Sequence, residues 1–88
     1  MKITDEDIEF FKQAEATIKK GYYPSGSKTI TDYKRIFADE IKSGTMKSNL
    51  SPKCGGCIKE AVRLTINKIK EMEHKINEQA IEKEDKGT

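Results

Sequence analysis

The chain reads as an all-α protein: a small three-helix domain in which two short helices pack on a long C-terminal helix. Three observations predict this. Apolar residues recur at steps of three and four in three separate stretches, and no stretch reads as a strand. Cap-forming residues precede the first two stretches, and glycines follow them. The third stretch, from Cys57 to Lys83, contains neither Gly nor Pro and spans about 27 residues, or roughly 40 Å of helix.

The first helix is expected over residues 5–20. Thr4 is its N-cap, and Asp7 stands three residues later as a capping-box partner. Ile3 and Ile8 hold the two positions of a hydrophobic staple. Ile8, Phe11, Ala14 and Ile18 mark one face, and Phe10 widens it. Lys19 and Lys20 suit the negative end of the helix dipole, and Gly21 is a natural stop. Tyr22 to Lys28 then reads as a turn by composition. Its two tyrosines are expected to lid the core with their hydroxyls in water, the alternative being contacts outside the core.

The second helix is expected over residues 30–43, with Thr29 and Asp32 as a cap-like pair. Ile30, Tyr33, Phe37 and Ile41 supply its face, with Ile36 beside them, and Gly44 ends it. Met46 and Leu50 should anchor the polar loop that follows. The third helix begins either at Ser51-Pro52 or near Gly56, after a tight turn through Cys54-Gly55-Gly56-Cys57. Ile58, Val62, Thr65, Ile69, Met72 and Ile76 then step by four, three, four, three and four, a heptad seam. Ala61, Leu64 and Ile66 broaden only its first half. Residues 1–80 form the single domain, and 81–88 are a polar tail expected to fray.

At 88 residues, 34 % hydrophobic and 36 % charged, the chain can build only a thin core or one that a partner completes. With no Trp, three Phe and three Tyr, a deep aromatic-lined pocket for a small-molecule substrate is not expected. No apolar run approaches the ~20 residues of a membrane span. The acidic start lacks the apolar region of a signal peptide, so a cytoplasmic location with reduced thiols is expected. Charge is uneven: net −3 over residues 1–18, +6 over 19–59 and −1 over 60–88.

The pair Cys54 and Cys57 is the one motif with chemical content. A Cys-x-x-Cys opening a helix has a lowered thiol pKa, which Lys53 and Lys59 would reinforce. A thioredoxin-like enzyme, however, needs a βαβ scaffold that this pattern lacks. As metal ligands the two cysteines are half of a closed zinc site. The only histidine, His74, lies seventeen residues past Cys57, ~25 Å along a helix. The remaining zinc ligands would be acids or the same motif of a second copy, giving a dimer clamped through four thiolates. The plainer alternative is two small half-buried side chains, with glycines that let two backbones approach. No catalytic set is visible, and no cofactor other than that candidate zinc is expected.

Thr31-Asp32-Tyr33-Lys34-Arg35-Ile36-Phe37, followed by Cys54-Gly55-Gly56-Cys57-Ile58-Lys59, places a Tyr-x-x-x-Phe helix, a polar loop and a Cys-x-x-Cys in order within residues 30–64. This pattern resembles short helical proteins of tailed bacteriophages. The resemblance implies a phage origin, a binding or virion-associated role, and a place in the host cytoplasm or the virion. Taken together, the residues predict a non-enzymatic interaction module acting through Ile69, Met72 and Ile76, by self-association or by docking to a larger protein. The alternative is a nucleic-acid-binding accessory protein using Lys34, Arg35, Lys47, Lys53, Lys59 and Arg63.

Overall fold

A long helix lies along two shorter, oppositely directed segments. The computed structural model describes the backbone of residues 1–87 and the side chains of residues 1–73. Among the described residues four helices follow one another: α1 (Asp5–Lys19), α2 (Gly26–Ile36), α3 (Ala38–Lys42) and α4 (Gly55–Gly87). Among the described residues there is no strand, and no helix is long and apolar enough to cross a membrane.

Helix α1 is built as its local signals predict. Thr4 accepts from the Asp7 N–H at 3.2 Å, and Asp7 accepts from the Thr4 N–H at 3.1 Å, completing the capping box. At the other end Gly21 adopts φ +91°, a left-handed angle that disfavours any side chain. The Tyr22 N–H then reaches the Thr17 carbonyl, and the Gly21 N–H reaches that of Ile18. These two bonds are a Schellman motif, which ends α1 and sets where Tyr22 leaves it.

The expected second helix is two helices, and it starts earlier. Ser25, not Thr29, is the cap, accepting from the Lys28 N–H at 3.3 Å. Thr29 lies wholly buried inside α2. Ser25-Gly26-Ser27-Lys28 resembles a loop only by composition; the serine hydroxyl turns it into a first helical turn. Gly26 there lies so close to the Pro52 carbonyl oxygen that a Cβ would collide with it. The helical run breaks at Phe37, which is buried and stands between α2 and α3 with φ −104° and ψ 26°.

Helix α1 runs antiparallel to α4. Ile18 lines a groove with Val62, while Lys12 pairs with Glu73 at 3.1 Å. The α2–α3 segment runs parallel to α4, from Gly26 beside Ile58 to Glu40 in a hollow with Lys68 and Met72. Phe11, Ala14, Ile30, Tyr33, Ile36, Phe37, Ala61, Val62, Ile66 and Ile69 form the core. The return loop is pinned across it by Met46, Leu50 and a 2.8 Å bond from the Tyr33 hydroxyl to the Lys47 carbonyl. Thr65 is buried in the seam because its hydroxyl donates to the Ala61 carbonyl at 2.7 Å, leaving an apolar outer surface.

Ile69 is therefore corrected as a partner-facing residue. It is 1 % exposed and belongs to the chain's own core. The reason is register: α1 reaches as far as Glu73, so helices of ~22 Å and ~50 Å overlap past residue 69. Truncating Ile69 to Ala should cost about 2–5 kcal/mol in urea unfolding, whereas a solvent-facing seam position would change stability by less than about 0.5 kcal/mol.

The α1–α2 junction also carries a charge network. Asp7 accepts from Arg35 at 2.6 Å, Arg35 lies 3.5 Å from Asp32, and Lys28 pairs with Asp32 at 3.0 Å. Burial pushes the Asp7 carboxyl up, but hydrogen bonds from Arg35 and Thr4 outweigh it and hold it below the usual carboxylate range. A depressed folded value means that the carboxylate stabilises the fold above its unfolded pKa of about 4. That contribution disappears as the pH falls through the folded value. In urea titrations the stability gap between the wild type and Asp7→Asn should be full at pH 6 and should close progressively below about pH 4.

Candidate functional site

The exposed chemistry gathers at the end of the bundle where α4 begins. Ser51 to Cys54 form a turn, with the Cys54 N–H on the Ser51 carbonyl and the Lys53 N–H on the Ser51 hydroxyl. Of the two starts considered for the long helix, the later is nearer, although the tight turn is Ser51–Cys54 rather than the cysteine motif itself. Cys54 takes the capping position: its carbonyl accepts from Ile58 at 3.0 Å, and its Sγ accepts from the Cys57 N–H at 3.3 Å.

The two thiols occupy different environments. Cys54 is exposed, whereas Cys57 is half-buried and packs against the core. Hydrogen bonding from the Cys57 thiol, then from the Cys57 and Gly56 N–H groups, outweighs burial and holds the Cys54 thiol below its ordinary value. This is the direction expected of a cysteine at a helix start. The glycines between them differ in role. Gly55 lies under the Tyr23 ring, where a Cβ would sit 2.8 Å from the hydroxyl oxygen. Gly56 meets only the Cys54 sulfur, at 4.0 Å.

Tyr22 and Tyr23 do not lid the core. They are 69 % and 55 % exposed, and with Met1 they are the large hydrophobics that face solvent among the described residues. The Schellman turn directs the chain outward, and Tyr23 folds back onto Gly55 rather than onto the core. The Lys59 ammonium stands 5.3 Å from the centre of the Tyr23 ring, within cation–π reach. Lys59 also borders the shallow groove between α1 and α4, about 270 Å³, whose apolar floor comes from Ile18 and Val62. Sequence reasoning missed this surface. The signal that could have found it was Gly21 followed by Tyr-Tyr-Pro, a helix stop that leaves two rings with no helical face to join.

The other expected site residues are dispersed. Met72 is half-buried in a hollow with Met1, Glu40, Lys68 and Glu71. The side chains of Ile76 and His74 and the tail 81–88 lie outside the described side chains. Of the six basic residues proposed for nucleic acid, Arg35 is held by Asp7 and Asp32, and Lys47 and Arg63 both meet Glu60. Lys34, Lys53 and Lys59 are exposed, with Lys34 on α2, Lys53 in the turn before α4 and Lys59 near the start of α4. Among the described residues no three His, Cys, Asp or Glu side chains cluster closely enough to hold a metal ion. Cys54 and Cys57 are thus two candidate ligands that no third joins there.

The capping role has a direct consequence. Cys54→Ser keeps an acceptor over the Cys57 N–H and should leave the melting temperature unchanged or raised. Cys54→Ala removes the acceptor and should cost about 1 kcal/mol by chemical denaturation. Searches against protein-family models, curated proteins and solved structures give no match to this chain.

Proposed function

We propose that this protein is a small non-enzymatic interaction module that binds an acidic, apolar-anchored protein segment at the Tyr22–Tyr23 end of the bundle. The observation that carries the reading is the exposure of both rings beside an apolar groove. Tyrosine supplies large contact area at low entropic cost and is enriched where proteins meet. The surroundings set the partner's charge. Lys20, Lys53 and Lys59 are exposed here, and among the described residues none of them forms an ion pair.

A protein segment is favoured over nucleic acid because three of the six candidate phosphate contacts are already engaged by carboxylates. A net charge of +2 also supplies little long-range attraction for a polyanion. The resemblance to phage proteins adds a virion-associated or accessory setting to the proposal.

A random peptide library displayed on phage, selected against the immobilised protein, tests the reading. Enriched peptides should combine an apolar anchor with acidic residues and should shift the NMR signals of Tyr22, Tyr23, Lys59 and Val62. Tyr23→Ser should weaken them tenfold or more, about 1.4 kcal/mol. Peptides that map to another face would contradict the proposal. So would tight binding of fluorescent oligo-dT at about 50 mM salt that is lost by about 200 mM, the behaviour of phosphate recognition.

A further inference from the structure

We propose that Cys54 and Cys57 are a dithiol–disulfide exchange site, with Cys54 the attacking thiol and Cys57 the resolving thiol, acting on low-molecular-weight disulfides such as oxidised glutathione. The proposal is independent of the partner surface. It rests on an asymmetry within one helical turn. Cys54 is exposed and reachable by a soluble disulfide, while Cys57 is half-buried against the core. The Cys54 sulfur already lies over the next turn, 3.3 Å from the Cys57 nitrogen. Residues three apart in a helix bring their Cα atoms within the roughly 4.4–6.8 Å that a disulfide requires. Gly55 and Gly56 put no side chain between the sulfurs, so the first turn can tighten as they join. Hydrogen bonds from Cys57 and Gly56 hold the Cys54 thiol below its ordinary value, which favours the attacking thiolate at this sulfur.

A metal is the competing use of the same thiols. Among the described residues no third ligand joins them. His74 is on the same continuous helix, ~25 Å from Cys57. A dithiol needs no further ligand to be chemically complete.

The chemistry balances in two steps. The Cys54 thiolate attacks one sulfur of the disulfide; a Cys54–S–S–R bond forms, the R–S–S–R bond breaks, and the first thiolate departs and takes up a proton. The Cys57 thiol loses its proton and attacks the Cys54 sulfur. The Cys54–Cys57 bond forms, the mixed disulfide breaks, and a second thiolate leaves to be protonated. Two cysteine thiols are oxidised and one small disulfide is reduced to two thiols. The two protons lost by the cysteines are those gained by the products.

The test is to equilibrate the full chain in glutathione buffers of graded oxidised-to-reduced ratio, quench with an alkylating agent and weigh it intact. The expected result is a monomer that gains an internal disulfide and loses both alkylation sites together as the ratio rises. Cys57→Ser should accumulate the chain carrying one glutathione on Cys54. Cys54→Ser should react with oxidised glutathione at least tenfold more slowly than Cys57→Ser. Three results would overturn the proposal: both thiols staying alkylatable in fully oxidised glutathione, oxidation that yields only cross-linked dimers, or equal reactivity of the two single variants. A fourth is a zinc-bridged dimer, seen by native mass spectrometry with zinc added, that withstands oxidised glutathione; it would assign the pair to the metal.

Discussion

Everything in this fold depends on one apolar stripe of α4 being covered from two directions. Ile58, Ala61, Val62, Thr65, Ile66 and Ile69 are buried along it. Each large aliphatic side chain so buried is worth about 1.5–3 kcal/mol, a large share of the total stability of a domain this size. Helix α1 comes down the stripe antiparallel, and α2–α3 runs beside it in parallel. Because both contribute to the same core, displacing either uncovers the other. The polar links at the junction, Arg35 with Asp7 and Asp32, then choose how the covering helices meet.

The elements whose signals are local were legible in the residues. Thr4 with Asp7 announces the start of α1, Gly21 its end, and the four-three spacing of α4 its buried stripe. What was not legible depends on distant parts of the chain. The start of α2 at Gly26 is coupled to Pro52, twenty-six residues away. Arg35 reads as a free cation until Asp7, twenty-eight residues earlier, is placed beside it. Ile69 reads as an overhanging seam residue because helix length alone does not give the register of α1 on α4. The cysteine motif was found from its spacing, but the difference between its two thiols follows from how Cys57 packs.

One end of the molecule thereby differs from the rest. Two exposed aromatic rings, a lysine over one of them, a shallow apolar groove and an exposed thiol all lie where α1 stops and α4 starts. Their closeness follows from the topology: an antiparallel α1 delivers Tyr22 and Tyr23 to the first turn of α4, and the return loop delivers Lys53 and Cys54 to the same place. The exposed side chains gathered there, Tyr22, Tyr23, Lys53 and Lys59, lie outside the core, whereas Ile18 and Val62 on the groove floor also serve it.

The central claim is that the α4 stripe is internal as far as Ile69 while the tyrosine end faces solvent. NMR with a soluble paramagnetic agent, on dilute protein shown to be monomeric, measures this residue by residue. The account predicts strong relaxation of the Tyr22 and Tyr23 ring protons and protection of the Ile69 methyl groups to the level of Ile36. Ile69 methyls relaxed as strongly as the Tyr23 ring, or both rings protected, would contradict it.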